Sequence, residues 1–231
     1  MSKKMSVATD AARAALAKID LVTTDMADTH IQGILTRHPG ATPADVIRYL
    51  GREYTSTVAV VGGAGGMIAA APGIGLAGAV GYAAFDIGTF TTASALYAIS
   101  VAEVHGVRLI EPERRRMLVM AVLAGNSGVG VVEQAAGRTG AHWGKVTVAA
   151  IPTAQLRAVN KVLGANFVTK YGTKQGILVL GKSIPAGFGG LIGAAGNAAM
   201  SRLTVKAAQQ AFGPAPTTLP RFLEIGFPAA A

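Results

Sequence analysis

Apolar residues recur at three- and four-residue intervals along much of the chain, the spacing that places them on one face of an α-helix. This pattern predicts a first helix over residues 7–36, which Pro39 and Gly40 end. A second helix is predicted to begin at residues 42–45, where threonine supplies an N-cap, proline occupies the first turn and aspartate lies near the positive helix end. One side of that helix carries Val46, Leu50 and Tyr54.

A stretch of 32 residues without a formal charge, residues 54–85, comes next. It is longer than the roughly 20 residues that span a bilayer as a helix. Because Pro72 and Gly73 interrupt it, the pattern predicts two helices folded as a hairpin, with the second arm continuing to about Glu103.

Two more helices are predicted in the middle of the chain. The Glu-Pro-Glu sequence at residues 111–113 is a typical helix start, and the Arg114–Arg116 run behind it is interpreted as polar surface. Residues 153–170 are amphipathic, whereas the Gly-rich section 125–144 is ambiguous. The apolar face of the amphipathic segment carries Leu156, Val159, Leu163 and Phe167.

A second Gly/Ala-rich apolar stretch, residues 183–201, opens with a Pro/Gly-rich turn and continues as a helix to about Phe212. The elements together predict an all-α fold, a helical bundle that contains two Gly/Ala-rich apolar helical hairpins. Three parts are expected: an N-terminal helical arm at 1–41, a helical domain at 42–212 and an extended Pro-rich tail at 213–231.

Small residues lie four positions apart in both hairpins, for example at Gly62 and Gly66. Such spacing leaves a smooth groove on a helix and lets a second helix approach closely, either inside a membrane or inside a soluble bundle. The candidate membrane or helix-packing residues are Gly62, Gly66, Gly73, Gly75, Gly78, Gly81, Gly189 and Gly193.

Composition and charge then narrow the class of protein. Hydrophobic residues make up 51% and charged residues only 14% of the chain, against roughly 25% charged in ordinary soluble domains. The absence of cysteine excludes disulfide scaffolds and thiolate metal sites and fits a reducing compartment. The basic start of the chain lacks the apolar core of a secretory signal, so none is expected.

The formal charge of +9 has a one-sided distribution. Residues 134–223 contain ten lysines and arginines and no acidic residue, a pattern that attracts an anionic lipid surface or nucleic acid. Few aromatic residues accompany these basic residues, which disfavours nucleic acid. The residues expected to bind an anionic surface are Arg157, Lys161, Lys170, Lys174 and Lys182.

Buried polar residues are expected where charge meets the apolar stretches. Asp86 lies either at a membrane boundary or in a pair inside the bundle, for which Arg114 and Arg202 are the candidate partners. Asn197 is a further candidate for a buried polar side chain.

No motif indicates a catalytic, cofactor or metal site. Residues 176–183 match the phosphate-loop pattern, but their four variable positions are large apolar residues and no strand precedes them. Residues 73–78 match the dinucleotide pattern without a strand–helix–strand context. The four histidines are scattered and lack metal-ligand spacing.

The order of these pieces resembles the EcsC protein family over about residues 57–224. The resemblance is carried by the Gly-rich hairpin ending near Asp86, the helix from Tyr97 to Gly106, and the helix start at residues 111–114. The Pro/Gly-rich segment 183–197, the basic helix behind it and the Arg-Phe-Leu sequence at 221–223 complete it. It implies a helical, membrane-linked protein associated with a transport system and supplies no catalytic residues.

Three hypotheses of function follow. The first is a non-enzymatic protein at the cytoplasmic face of a membrane, peripheral or integral, with anionic lipids as partners and a membrane transporter or a second copy of the chain as further candidates. The second is a soluble oligomeric scaffold that uses the glycine-faced helices as its interface. The third is a lipid-directed enzyme with Asp86, Glu103 or Glu113 as acid or base.

Overall fold

The computed structural model describes residues 10, 13–70, 75–136, 142–145, 151–182 and 188–224, with side chains described outside 65–86 and 170–194. In this part of the chain 82% of residues are helical and none forms a strand, which confirms the predicted all-α bundle. The helices are the helical residues 13–19 (α1), Thr24–Arg37 (α2), Pro43–Ala70 (α3), Gly75–Val104 (α4), Pro112–Ala124 (α5), Asn126–Ala136 (α6), the helical residues 143–145 (α7), Thr153–Lys182 (α8), Phe188–Phe212 (α9) and Arg221–Glu224 (α10).

The first predicted helix, residues 7–36, is wrong as a single element, because the chain breaks between α1 and α2. The N–H groups of Leu21 and Val22 bond to carbonyls three residues back, which tightens and ends α1. The hydroxyl of Thr23 then accepts from the backbone N–H of Met26 at 3.3 Å and caps α2. An N-cap residue inside a periodic apolar stretch therefore divides it.

The predicted start of α3 is confirmed and has a reciprocal cap. The Thr42 hydroxyl accepts from the backbone N–H of Asp45 at 3.2 Å, and the Asp45 carboxylate accepts from the backbone N–H of Thr42 at 3.1 Å. Tyr54 stacks on Tyr97 of α4 with ring centroids 4.9 Å apart, and its hydroxyl lies 2.7 Å from that of Ser94. The predicted apolar side of α3 is buried at Val46, Leu50 and Tyr54.

Helices α3 and α9 pack antiparallel along each other. The amide of Asn197 donates to the carbonyl of Val58 at 3.0 Å, while a Cβ built at Gly51 would lie 3.9 Å from Val205. Residues later in α3 therefore contact residues earlier in α9. The C-terminal end of α3 and the N-terminal end of α9 therefore lie at the same end of the bundle.

Helix α5 is buried on all sides at residues 117–124, so it forms the centre of the core. The interpretation of the Arg114–Arg116 run as polar surface is wrong for Arg115, which is 6% exposed. Its guanidinium donates to the carbonyls of Leu109 and Ile110 at 3.0 and 2.6 Å. Backbone carbonyls before a helix need donors when they are buried, and Arg115 supplies them.

The ambiguous section 125–144 contains α6, which packs closely on α5. A Cβ at Gly128 would lie 2.5 Å from the carbonyl oxygen of Ala121, so glycine is required at this contact. The predicted amphipathic segment 153–170 continues as α8 to Lys182. Its expected apolar face is confirmed by the burial of Leu156, Val159, Leu163 and Phe167.

The predicted arm and tail both contribute to the common core. Ile19, Ile31 and Ile34 from the arm are fully buried, and Leu223 from the tail is 1% exposed. The amide of Gln32 donates to the carbonyl of Leu223 at 2.8 Å and joins the two segments directly. The tail is non-helical at 213–220 before α10, and the division into three parts stays a prediction.

Candidate anion-binding surface

The basic residues of the acid-free segment lie at the protein surface wherever their side chains are described. None of them has a carboxylate within 4.0 Å among the described residues. Helical spacing places Arg157 and Lys161 one turn apart on α8, and it does the same for Arg202 and Lys206 on α9. The six residues are Lys145, Arg157, Lys161, Arg202, Lys206 and Arg221.

Arginines in the first half of the chain behave differently, because most of them are held in ion pairs. One example is Arg37, which donates to Glu53 at 2.7 Å. Acids and bases are nearly balanced in that half, so its positive charge is largely neutralised within the fold. The pairs are Arg13–Asp10, Arg37–Glu53, Arg48–Asp45, Arg108–Asp28, Arg114–Glu111 and Arg116–Asp20.

An open groove of about 750 Å³ runs between α3 and α9. Two cations from each helix line it, together with the neutral donors Thr55, Ser56 and Gln209. Its floor is apolar or small, and includes Gly51 and Val205. The four cations are Arg48, Arg52, Arg202 and Lys206, and we call this site the α3–α9 groove.

The charge of the α3–α9 groove is only partly neutralised by the protein. Arg48 pairs with Asp45 at 2.5 Å, and the hydrogen bonds from Thr42 hold the pKa of the Asp45 carboxyl below its usual value. For Arg52, Arg202 and Lys206 no acidic partner lies within 4.0 Å in the described part of the chain. Three cations are therefore free to contact an external anion.

The predicted buried polar residues have different outcomes. Asn197 is 1% exposed and bonds to α3, so it is a buried polar side chain. Arg202 is exposed in the α3–α9 groove, so its expected burial is wrong: the antiparallel packing turns it toward the groove between the helices rather than into the core. Arg114 is half-buried and pairs with Glu111 at 3.1 Å, while the side chain of Asp86 lies outside the described residues.

The candidate glycines and lysines are only partly covered by the description. Gly62 is buried in α3. The backbones of the others, except Gly73, lie in α3, α4 or α9, but their surroundings are outside the described residues; these are Gly66, Gly75, Gly78, Gly81, Gly189 and Gly193. The same holds for the side chains of Lys170, Lys174 and Lys182, which follow Arg157 and Lys161 along α8.

In contrast to the exposed cations, one carboxyl group is buried in the core. Glu103, in the last turn of α4, has no exposed surface, and among the described residues only the Leu109 backbone N–H lies close enough to interact with its carboxyl oxygens, without the geometry of a regular hydrogen bond. Burial raises the pKa of Glu103 to about 8, and the neighbouring Asp28 carboxylate adds to the rise. Asp28 itself accepts from Arg108 at 2.9 Å. Glu103 thus carries a proton at neutral pH, and its enclosure keeps it from contact with a substrate.

The phosphate-loop match does not have the conformation of such a loop where it is described. Residues 176–182 are helical, whereas a phosphate loop requires a turn between a strand and a helix. The described residues contain no group of three or more His, Asp or Glu side chains that would hold a metal ion. Glu113 accepts from the amide of Asn160 at 2.6 Å, which gives it a structural partner between α5 and α8.

One helix segment in the described part, Ile87–Val104 of α4, is long and apolar enough to cross a membrane by length and composition. Of that window, 78% is buried inside the bundle. A core helix of a soluble protein passes the same test, so the segment allows membrane association without indicating which side of a membrane is involved.

Comparisons with protein-family models, with curated proteins and with solved structures find no match. The resemblance to the EcsC family consequently stays a prediction.

Proposed function

We propose that this protein is a non-enzymatic, membrane-associated protein that binds anionic lipid at the cytoplasmic face of a membrane. The supporting observation is the contrast between the two halves of the chain. Six arginines of the first half are paired with carboxylates, while the six described basic residues of residues 134–223 are exposed and unpaired. Unpaired surface cations are the groups that interact with an anionic surface.

The energetics allow weak, reversible binding, with a dissociation constant of about 1 mM for a contribution of about 4 kcal/mol. Each basic residue close to an anionic membrane contributes about 1 kcal/mol. The four residues on α8 and α9, Arg157, Lys161, Arg202 and Lys206, would contribute about 4 kcal/mol if all of them reached the headgroups together. The lysines further along α8 would add to that sum, whereas salt would weaken it because the screening length falls to about 3 Å at 1 M.

Liposome sedimentation tests this function. Vesicles with anionic lipid should carry the protein down at low salt and release it at 1 M salt, and neutral vesicles should not bind it. A variant with Arg157→Glu and Lys161→Glu should bind the anionic vesicles at least tenfold more weakly. The matched control is Arg37→Glu with Arg13→Glu, which makes the same change of net charge at two paired cations of the first half. Unchanged binding by the α8 variant would contradict the electrostatic part of the proposal.

Fractionation of cells separates peripheral from integral attachment. Release of the membrane-bound protein by high salt would indicate that the basic surface holds it, whereas release by detergent alone would indicate inserted hairpins.

Because the chain has no cysteine, a single Val60→Cys variant can be labelled with a polarity-sensitive dye on α3, where Val60 is 71% exposed. A Leu21→Cys variant, at a position that is 70% exposed outside the hairpins, is the matched control.

The resemblance to the EcsC family supports a further part of the proposal, a role as an accessory of a membrane transport system. The glycine-faced hairpins would then contact either lipid or a membrane partner. Co-purification of the chain with a transporter from detergent-solubilised membranes would support this role, and its absence under conditions that retain the chain on membranes would contradict it.

One observation favours a second candidate, a soluble oligomeric scaffold. The most apolar described helix segment, Ile87–Val104, is 78% buried in its own bundle, which removes it from contact with lipid. This candidate predicts that the protein is soluble without detergent and forms one oligomer in light scattering after gel filtration. A lipid-directed enzyme is not proposed, because the carboxyl group of Glu103 is fully enclosed.

A further inference from the structure

We infer that the α3–α9 groove is a binding site for a single phosphomonoester group, carried by a lipid headgroup or by a small soluble phosphate ester. The inference uses the proposed function only in naming a lipid as one source of that group. The groove was not recognisable in the sequence, because Arg52 and Arg202 are 150 positions apart and only the antiparallel packing of α3 on α9 brings them together.

The arrangement of cations fits one compact anion. Arg48 and Arg52 lie four residues apart on α3, as do Arg202 and Lys206 on α9, so each pair spans about 6 Å along its helix. Packed helices lie roughly 8–10 Å apart, which places the four cations around an area of one headgroup. An extended polyanion would need cations along a longer track.

The charge and the donors also match a phosphomonoester. Three of the four cations have no acidic partner among the residues described, and a phosphomonoester carries about −1.5 to −2 at pH 7. Two arginines supply planar forks that bind phosphate oxygens in pairs. Thr55, Ser56 and Gln209 add neutral donors at the same site.

Arg48 is already held in place by the protein. Its guanidinium pairs with Asp45, whose carboxylate also accepts from the Thr42 hydroxyl, so Arg48 is less available to a ligand than the other three cations. Arg52, Arg202 and Lys206 are then the residues that contact the phosphate.

The remaining lining indicates what the phosphate is attached to. Ala44, Ile47, Gly51 and Val205 form an apolar wall beside the cations, and this wall suits a short carbon skeleton such as a glycerol backbone. The volume of about 750 Å³ is in the range of small-molecule sites. None of the lining residues is aromatic, so the described groove lacks the stacking surface that single-stranded nucleic acid uses.

The test compares two double variants that remove the same charge from different places. The groove variant is Arg52→Gln with Arg202→Gln, and the control is Arg157→Gln with Lys161→Gln on α8. Vesicles of phosphatidylcholine with phosphatidic acid present a phosphomonoester, and vesicles with phosphatidylglycerol at equal surface charge present a phosphodiester. Thermal unfolding by circular dichroism verifies that both variants keep the fold.

The expected result is that the groove variant binds phosphatidic acid vesicles at least tenfold more weakly, with a much smaller change on phosphatidylglycerol. The control variant should weaken binding to both vesicle types by a similar factor, as expected for a diffuse basic surface. Equal effects of both double variants on both vesicle types would overturn the inference, since the groove would then be part of a diffuse basic surface.

Titration calorimetry with glycerol 3-phosphate and with inorganic phosphate distinguishes the sources. Binding of a soluble ester that the groove variant abolishes, without vesicle binding by the wild-type chain, would support the groove and refute the proposed membrane function. Vesicle binding that is insensitive to the groove variant would refute the groove and leave the membrane function standing. A short single-stranded oligonucleotide that binds more tightly than either phosphate ester, in a groove-dependent way, would also overturn the inference.

Discussion

Replacement of Glu103 by glutamine removes a carboxyl group that the bundle encloses completely. The neutral amide resembles the protonated carboxylic acid in size and polarity, so the substitution fixes the state that the wild-type side chain has at low pH. The variant therefore isolates the free-energy cost of ionising this one group inside the folded protein.

The direction in which stability changes with pH follows from the linkage between proton binding and folding. Burial, with the Asp28 carboxylate, raises the pKa of Glu103 from 4.5 to about 8, so between these pH values the native state binds the proton and the unfolded state does not. The contribution of Glu103 to stability is therefore highest below pH 4.5 and is lost as the pH rises to 8. Each pKa unit corresponds to about 1.4 kcal/mol, which gives an upper limit of about 5 kcal/mol above pH 8.

The assay is urea unfolding followed by circular dichroism at pH 5, 7 and 9. Glu103→Gln should exceed the wild type in free energy of unfolding by about 1 kcal/mol or less at pH 5, and by several kcal/mol at pH 9. Glu111→Gln is the matched control, because Glu111 is about half exposed and its pair with Arg114 is worth about 1 kcal/mol or less. If the wild type and Glu103→Gln give parallel curves from pH 5 to 9, the carboxyl group is solvated or paired and the reasoning is refuted.

Three further predictions concern other buried contacts. Burial, with the nearby Lys145 and His142, lowers the pKa of His105 to about 4. Since the unfolded state then binds a proton that the native state does not, the native state is destabilised as the pH falls below 6.5. In the same unfolding assay, His105→Phe should exceed the wild type in free energy of unfolding by about 2 kcal/mol at pH 5 and by little at pH 8. Gly128→Ala should lower the free energy of unfolding by about 1–3 kcal/mol, because its Cβ would overlap a backbone carbonyl of α5, whereas Gly130→Ala on open surface should raise it by up to about 1 kcal/mol. Asn197→Ala should lower the free energy of unfolding by about 1 kcal/mol, because it removes a buried hydrogen bond between α9 and α3, and equal melting temperatures of variant and wild type would contradict this.

The predictable features of the fold were those set by neighbours in sequence. The start of α3 follows from the Thr42 cap and Pro43, and the start of α5 follows from Pro112, since Glu111 makes no capping hydrogen bond. The buried stripe of α8 follows from four apolar residues at helical spacing. The break before Thr23 does not follow from the apolar pattern. Val22, its neighbour, is expected to be buried whether the segment forms one helix or two, and it is buried in the structure. A capping side chain can start a helix, but its position is not distinguished when the apolar periodicity continues on both sides of it.

The candidate site was less predictable, because it depends on packing between distant segments. Positive charge in residues 134–223 was visible, and the structure confirms that Arg157 and Lys161 are exposed. Arg52 was not recognised, since in sequence it lies beside Glu53, and only the ion pair of Glu53 with Arg37 shows that the two neighbours do not neutralise each other. Cations repeat four residues apart on both α3 and α9, but this spacing does not indicate that the two helices pack together.

Under the proposed membrane function, insertion of the helices and attachment through surface charge would disrupt different contacts. Moving Ile87–Val104 into lipid would exchange one apolar environment for another, so little hydrophobic free energy would change. The polar contacts would be lost, however. The hydrogen bonds from Tyr54 to Ser94 and from Asn197 to Val58 join α4 and α9 to α3. Separation of these helices in lipid would leave polar groups unpaired, because no water is present there to replace the partners. Attachment through exposed cations leaves these contacts intact, and it is therefore the mode of lower cost for the bundle as folded.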